Sequence, residues 1–457
     1  MDMQEIMAQV DREQTRLVRF QYCDNGGIIR AKATHTRVLE SRMKEGIGHS
    51  VALTVWTGVE TMPAVEGMGP VGEFRLVPDP ETFAILPYVP KAASMMCDMI
   101  GLDGQPWGAC PRSFLKRMVT SLDEQGMRLE ASVEHEFYLA RQNPVDGSYT
   151  PADRSLTYST TGLDEQADVI EAILAALEAQ GIAIELFHTE LGPSQQELSV
   201  RHADVLRAAD HVCLIRETIR GTARPFDLFA TFAPKPFLNE GGSGAHTHFS
   251  LWESQGSTTS SPSKNLLYDA NSPGYLSKTG RYFIGGILRH VRALVALTCG
   301  SVNSYSRLLP HHWSSAYGAW GFDNREAAVR VPSPFWGREA ESLNLELKCA
   351  DHSGNPYLSM GGIIAAGLDG IKNQIDPGDP ATIDPGNYSD EERQQRGIAP
   401  LPTSLGEALD ELERDHVLLD ALGPMLATSY IAVKRDEIAF FQDKTPQDIV
   451  NQHFYKY

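Results

Sequence analysis

The residues best equipped for chemistry in this chain are carboxylates, and their spacing says what they would hold. In Leu129-Glu-Ala-Ser-Val-Glu-His-Glu-Phe-Tyr-Leu139, apolar Leu129, Ala131, Val133, Phe137 and Leu139 alternate with polar residues, the period-two pattern of a half-buried strand. Glu134 and Glu136 then point to one face, about 7 Å apart along the strand. Two carboxylates at that spacing repel each other, so their coexistence calls for a cation between or beside them. A solvated strand face would explain the pair equally well if it stood alone. The theme recurs: Glu190 and Glu197 lie in His188-Thr-Glu-Leu-Gly-Pro-Ser-Gln-Gln-Glu-Leu198, His246 in Gly241-Gly-Ser-Gly-Ala-His-Thr-His248, and Glu346 in Asn344-Leu-Glu-Leu-Lys348. Oxygen-dominated ligation favours Mg²⁺ or Mn²⁺ over zinc, and a paired site suits phosphoryl transfer, where cations bridge phosphates and neutralise developing charge. His248, two residues beyond His246, reads as a satisfied core histidine.

Positive charge comes from Arg307 in Asn303-Ser-Tyr-Ser-Arg-Leu-Leu-Pro310, and from Arg325 and Arg330 in Asn324-Arg-Glu-Ala-Ala-Val-Arg-Val-Pro332. Arginines so placed can fork onto carboxylate or phosphate oxygens, although scattered arginines usually end in exposed ion pairs. The Gly-rich turn before His246 matches neither a P-loop nor a dinucleotide fingerprint.

Something must position these groups, and 457 residues are too many for one compact core. Residues 1–105 are punctuated by Gly and Pro, with β-like runs at 17–22, 51–57 and 82–86, the mark of a small β-rich unit. Beyond a turn-rich stretch at 101–108, residues 106–457 alternate strands with amphipathic helices expected at 111–125, 164–180, 281–298, 356–373 and 404–415. That alternation marks an α/β or α+β domain. The net charge of −19, from 59 acidic and 40 basic residues, excludes a protein built to grip nucleic acid. Six scattered cysteines read as reduced core thiols. Residues 1–12 are polar and acidic and no apolar run approaches bilayer length, so a cytoplasmic protein without a membrane partner is expected.

Taken in order, these segments resemble the glutamine synthetase family over most of the chain. The resemblance implies an α+β fold with a small N-terminal β-grasp domain, residues 1–105, and a large catalytic domain, residues 106–457. It further implies homo-oligomeric rings of six subunits, often stacked as twelve, with active sites shared between neighbours. By the same comparison Glu136, Glu190 and Glu197 would hold one Mg²⁺ or Mn²⁺, and Glu134, His246 and Glu346 the one that contacts ATP. Gly242 and Arg307 would bind glutamate, and Arg325 and Arg330 would act on the nucleotide phosphates and the phosphoryl group in flight. The implied chemistry is transfer of the ATP γ-phosphoryl to glutamate, giving γ-glutamyl phosphate, then attack by an amine.

The chain departs from the family pattern where the amine should bind. Ammonia-using members carry a flap glutamate shortly after the Asn-Ser-Tyr-x-Arg motif, and an aspartate on a neighbour's N-terminal loop. The corresponding positions here are Trp313 and Ser50. Losing two carboxylates removes the trap that would deprotonate ammonium, while an indole adds apolar stacking surface. A lysine-like alkylammonium would cost about 4–5 kcal/mol to deprotonate at neutral pH, whereas an aromatic amine is already neutral. An apolar monoamine, aromatic or short-branched alkyl, is therefore the expected acceptor, with Tyr158 lining its pocket as in the family. Two flanking arginines of the family are Asn344 and Lys348 here, and Lys348 keeps the cation as a point charge without bidentate geometry. Tyr388 lies near a position adenylylated in some relatives, but its flanks differ and no such regulation is expected. The competing readings are an ordinary glutamine synthetase using ammonia, a γ-glutamyl-polyamine or -ethanolamine synthetase, and an inactive ring-forming scaffold.

Overall fold

The computed structural model describes residues 1–254 and 263–457. Among these the N-terminal unit is a six-stranded sheet of β1 (Leu17–Cys23), β2 (Ile29–His35), β3 (Ile47–Ser50), β4 (Glu73–Pro78), β5 (Ala84–Ile85) and β6 (Ala92–Gly101), ordered β2-β1-β6-β4-β3 with β5 also on β6. β1 and β6 run parallel at its centre while the other pairs are antiparallel, and Ile6, Val10, Phe20, Leu39 and Phe74 close the core beneath it. One expected strand is corrected. Residues 51–57 begin instead as a 3-10 turn, Val51–Thr54, because the Ser50 hydroxyl accepts the Ala52 N–H and caps it. Residues 82–86 shrink to the two-residue β5, since Asp79 caps a turn at Pro80–Thr82.

The second sheet carries β7 (Met127–Gln142), β8 (Tyr149–Pro151), β9 (Ile184–Thr189), β10 (Gln195–Val200), β11 (Ala203–Asp204), β12 (Phe229–Thr231), β13 (Thr247–Glu253), β14 (Tyr317–Phe322), β15 (Ala327–Val331), β16 (Leu345–Leu347) and β17 (Ala399–Pro400). Its path is β17-β14-β15-β16-β13-β7-β10-β9, and β7, 16 residues long, also takes β8, β11 and β12. The odd-numbered face of β7 is buried from Leu129 to Leu139, so the even-numbered face is left for the cleft.

Helices cover the buried face. Pro356–Asn373 and Lys278–Thr298 cross where Gly286 and Gly370 meet: a Cβ on Gly286 would lie 2.1 Å from the Ala366 carbonyl oxygen, so only glycine allows the approach. The helix expected at 164–180 is split, with Thr160–Glu165 ending before Ala167–Ala179, and Gly181 at φ 78° stops the second piece. Pro111–Asp123 and Leu405–Leu412 fall within their expected spans. At its start Arg112, fully buried, reaches Asp79 (2.6 Å) and Asp98 (3.0 Å) on the N-terminal unit and Asp210 (2.9 Å) on the catalytic one. Removing any one partner would strand charge in the interior, so this cluster binds the two units into one body. All six cysteines are buried and free. No single helix among the described residues is long and apolar enough to cross a membrane.

Candidate active site

One cleft of about 510 Å³ gathers nearly every residue singled out by type and spacing: Glu134, Glu136, Glu190, Glu197, His246, Glu346, Gly242, Arg307, Arg325, Arg330, Lys348, Tyr158 and Trp313 all line it. Ser50 is not among them. It sits on β3 of the N-terminal sheet, outside the cleft of its own chain.

Strand register builds the floor. Glu197 on β10 pairs with Glu136 on β7, and Glu346 on β16 pairs with both His248 on β13 and Arg330 on β15. Cross-strand neighbours share a face, which brings acids distant in sequence side by side. Two glycines make the approach possible. A Cβ on Gly242 would lie 2.4 Å from Arg307 Cγ, and one on Gly244 would lie 2.7 Å from His246 Nε2.

The acids are crowded. Burial, then the neighbouring Glu136 and Glu197 carboxylates, pushes Glu190 up to about 7, and its Oε2 is buried without a hydrogen-bond partner. Burial likewise raises Glu136 and Glu197. Each has a local partner: Glu136 Oε2 accepts from Gly244 N at 2.8 Å, and Glu197 Oε1 lies 3.1 Å from His188 Nε2. Burial would lower His188, but that carboxylate holds it at about 9. Glu134 behaves oppositely. Burial opposes its charge, yet bonds from His246 and His248 outweigh that and hold it well below the carboxylate range.

His248, expected to be a satisfied histidine, has a partner on each ring nitrogen, and those partners belong to the acid cluster. Its Nε2 lies 3.0 Å from Glu134 Oε1 and its Nδ1 2.9 Å from Asn344 Oδ1, so both nitrogens face acceptors and the ring is held charged, at about 9, despite burial. Glu134, His248 and Glu346 offer ligand atoms all within 4.8 Å of one another, the tightest metal-capable group among the described residues. His246, which lines the cleft, lies 3.1 Å from Glu134 Oε2 and 3.7 Å from Glu346 Oε1. The signal was available: His246 and His248 are two apart entering a strand and share a face as Glu134 and Glu136 do.

The basic groups divide by surroundings. Arg307, 4 % exposed, donates to the Ala350 carbonyl at 2.7 Å and keeps its Nε buried and unpartnered. Lys348 Nζ lies 3.3 Å from Glu346 Oε1 and 3.4 Å from His246 Nδ1, a single positive charge among the floor acids. Arg330 pairs with Glu346 at 2.5 Å, while Arg325 is exposed at the mouth. Lys235, His311 and His312 also line the cleft and carried no sequence signal of their own.

The rim is apolar. Trp313, 49 % exposed, faces the cleft with Tyr158, 58 % exposed, and with exposed Leu186 and Leu191. The Tyr158 hydroxyl lies 3.4 Å from Glu190 Oε1 and its ring packs on His188, centroids 5.0 Å apart.

The glutamine synthetase catalytic-domain model matches residues 108–453, and the glutamine synthetase N-terminal-domain model matches residues 1–107. The chain is 33% identical over 441 residues to a glutamine synthetase of Methanosarcina mazei, covering 95% of this chain and 93% of that protein. It is also 33% identical over 443 residues to the gamma-glutamylpolyamine synthetase GlnA3 of Streptomyces coelicolor, covering 95% and 92%. Among solved structures, one described as a novel glutamine synthase homolog superposes with TM-score 0.85 at 32% identity over 97% of this chain and 99% of that one. A GmaS/ADP complex follows at TM-score 0.83, 29% identity and 97% of both chains. The chain therefore belongs to the glutamine synthetase family. Within it, the chain is an ATP-dependent carbon–nitrogen ligase that joins glutamate to ammonia or an amine.

Proposed function

We propose that this ligase joins the glutamate γ-carboxyl to an apolar or aromatic monoamine rather than to ammonia. The observation that carries this reading is the flap: Trp313 lines the cleft mouth with Tyr158, Leu186 and Leu191, and the flap segment 309–316 offers no carboxylate.

The crowded, partly unpartnered carboxylates fit divalent cations, with Glu134, Glu136, Glu190, Glu197, His246, His248 and Glu346 as the ligand pool. Bound Mg²⁺ or Mn²⁺ would supply charge neutralisation between the ATP phosphates. Arg307, with its unpartnered Nε, and the Gly242 backbone would seat glutamate. Arg325 and Arg330 would steady the phosphates, and Lys348 would steady the charge that gathers on the transferred phosphoryl oxygens. A glutamate γ-oxygen takes the γ-phosphoryl and ADP leaves. The amine nitrogen then attacks the acyl carbon, phosphate departs, and the extra proton on nitrogen passes to a base in the cleft.

Magnitudes favour a weak base. Stacking on an indole is worth about 1 kcal/mol, whereas deprotonating an alkylammonium costs about 4–5 kcal/mol. The amine's own basicity thus outweighs its fit, and aniline-like acceptors rank above alkylamines. A polyamine acceptor is the second reading, favoured by the GlnA3 relative and by five carboxylates in the cleft. Against it, Trp313, Leu186 and Leu191 at the mouth offer a distal ammonium no acceptor, and Arg325 there would repel it. A ring of like subunits, six or twelve, accompanies this reading, with Ser50 then reaching a neighbour's cleft.

The test follows ADP release with glutamate, ATP and Mg²⁺ against ammonia, isopropylamine, putrescine, ethanolamine and aniline. Aniline or isopropylamine should exceed ammonia in kcat/KM. Trp313→Glu should shift that preference toward ammonia by roughly tenfold or more, the worth of one buried charge-assisted contact. Ammonia turned over as well as any amine by the native protein would overturn the proposal.

A further inference from the structure

Residues 309–316 are held in an unfavourable backbone shape. His311, Trp313 and Ser315 have φ of 64°, 56° and 68°, the left-handed region that costs a non-glycine residue about 1 kcal/mol or more. Three such residues within five positions persist only if the surroundings hold them there. The fastenings are specific: Ser314 Oγ donates to the Arg307 carbonyl (2.6 Å), Ser315 Oγ donates to the Ala327 carbonyl (2.8 Å), and His311 Nδ1 lies 2.6 Å from Asp384 Oδ2. The fourth is different in kind. The Trp313 N–H donates to Glu326 Oε1 at 2.6 Å, gripping the main chain of the residue whose side chain faces the cleft.

Glu326 is 8 % exposed and does not itself line the cleft. Burial raises its carboxyl, with Asp384 adding to the effect and the Trp313 N–H, His311 and Lys348 opposing it. A carboxylate kept in so dry a place for one backbone N–H is a strong tether. Its own turn is fixed too, since Asn324 Oδ1 accepts from Glu326 N (3.1 Å) and Asn324 Nδ2 donates to the Ala381 and Ile383 carbonyls (2.9 Å each).

We infer that Glu326 is a specificity-determining positioning residue: by holding the Trp313 backbone it fixes the indole at the cleft mouth and so sets the shape of the acceptor pocket. The inference rests on the reading of Trp313 as the acceptor wall. Because Arg325 and Glu326 are adjacent, one short turn reaches the phosphate side of the cleft with one residue and the acceptor side with the next.

The experiment uses the full chain with Glu326→Ala, Glu326→Gln and Trp313→Ala, measuring ADP release against the best amine at saturating glutamate and ATP, and separately against each co-substrate. Glu326→Ala should raise the amine KM roughly ten- to a hundredfold, the worth of a charge-assisted hydrogen bond. KM for glutamate and ATP should stay within about twofold, by the same reasoning that the tether touches neither. Glu326→Gln, whose amide oxygen still accepts the N–H, should recover most of the loss. Acrylamide quenching of tryptophan emission should rise in Glu326→Ala, and the rise should vanish when Trp313 is replaced by Phe in the same background.

An unchanged amine KM in Glu326→Ala, alongside a raised one in Trp313→Ala, overturns the tether and leaves the proposed function standing. Equal rises in all three KM values, in both Glu326 variants, also overturn it by showing a merely structural residue. Trp313→Ala with native amine KM and native preference against ammonia overturns instead the reading of the flap on which the tether depends.

Discussion

The floor and the rim of the cleft are built on opposite physical principles. On the floor, Glu134, Glu136, Glu197, His248 and Glu346 stand on paired strands, where the ladder fixes each carboxylate to within the precision of the sheet. Their crowding is electrostatically costly, and a bound divalent cation would relieve it. At the rim, Tyr158 and Trp313 stand on irregular backbone with positive φ, half in solvent, held by single side-chain fastenings. The contrast teaches where change is tolerated. A floor group cannot move without dragging its strand, whereas rim residues can be exchanged without disturbing the sheet, which leaves acceptor choice free to vary over a constant phosphoryl-transfer centre.

Three measurements would break or sharpen that contrast. The largest effect belongs to the floor: Glu136→Ala should cut the rate of ADP release by roughly a thousandfold or more, since each cation contributes several kcal/mol of charge stabilisation. A near-native rate would mean that the acids are not the centre of the chemistry.

The next concerns stability. The folded-state values of Glu136, Glu190 and Glu197 are raised above the usual 4.5, Glu190 to about 7, and those of His188 and His248 are raised above 6.5 to about 9. In both groups the native state holds protons that the unfolded chain gives up, so their contribution to stability falls as pH rises. Burial holds His49, His135, His211 and His453 at about 3 to 4, and these act oppositely below about 6.5, which leaves the fall to show between about pH 7 and 8. Metal-free protein should therefore lose Tm between about pH 7 and 8, and Mg²⁺ or Mn²⁺ should restore more at pH 8 than at pH 5. A melting temperature indifferent to divalent cations at pH 8 would contradict the crowding argument.

The smallest effect belongs to the rim. Tyr158→Phe removes a long, largely exposed contact to Glu190 and should change the amine KM by no more than about threefold, below the worth of an ordinary hydrogen bond. A loss comparable to that of Glu136→Ala would erase the distinction between the two regions.

Much of the floor was legible in the sequence. Period two placed Glu134 and Glu136 on one face, whereas the close approach of Gly242 to the Arg307 stem showed only in the fold. The partners that satisfy His248 were not legible in the sequence, since register brings Glu346 across one strand pair and Asn344 beside it. The 51–57 segment was misassigned because its apolar, β-prone residues obey a serine cap rather than their propensity.

Local chemistry and periodicity sufficed to name the carboxylates and the arginines, because each is a property of residue type and short spacing, and the resemblance to the family added Gly242 and the missing flap acid. The fastening of Trp313 by Glu326, the Arg330–Glu346 pairing and the charged state of His248 depend on which distant segments lie side by side and how dry the space between them is. Only the tertiary structure decides those, since burial and cross-strand neighbours are fixed by the whole fold and by no stretch of sequence alone.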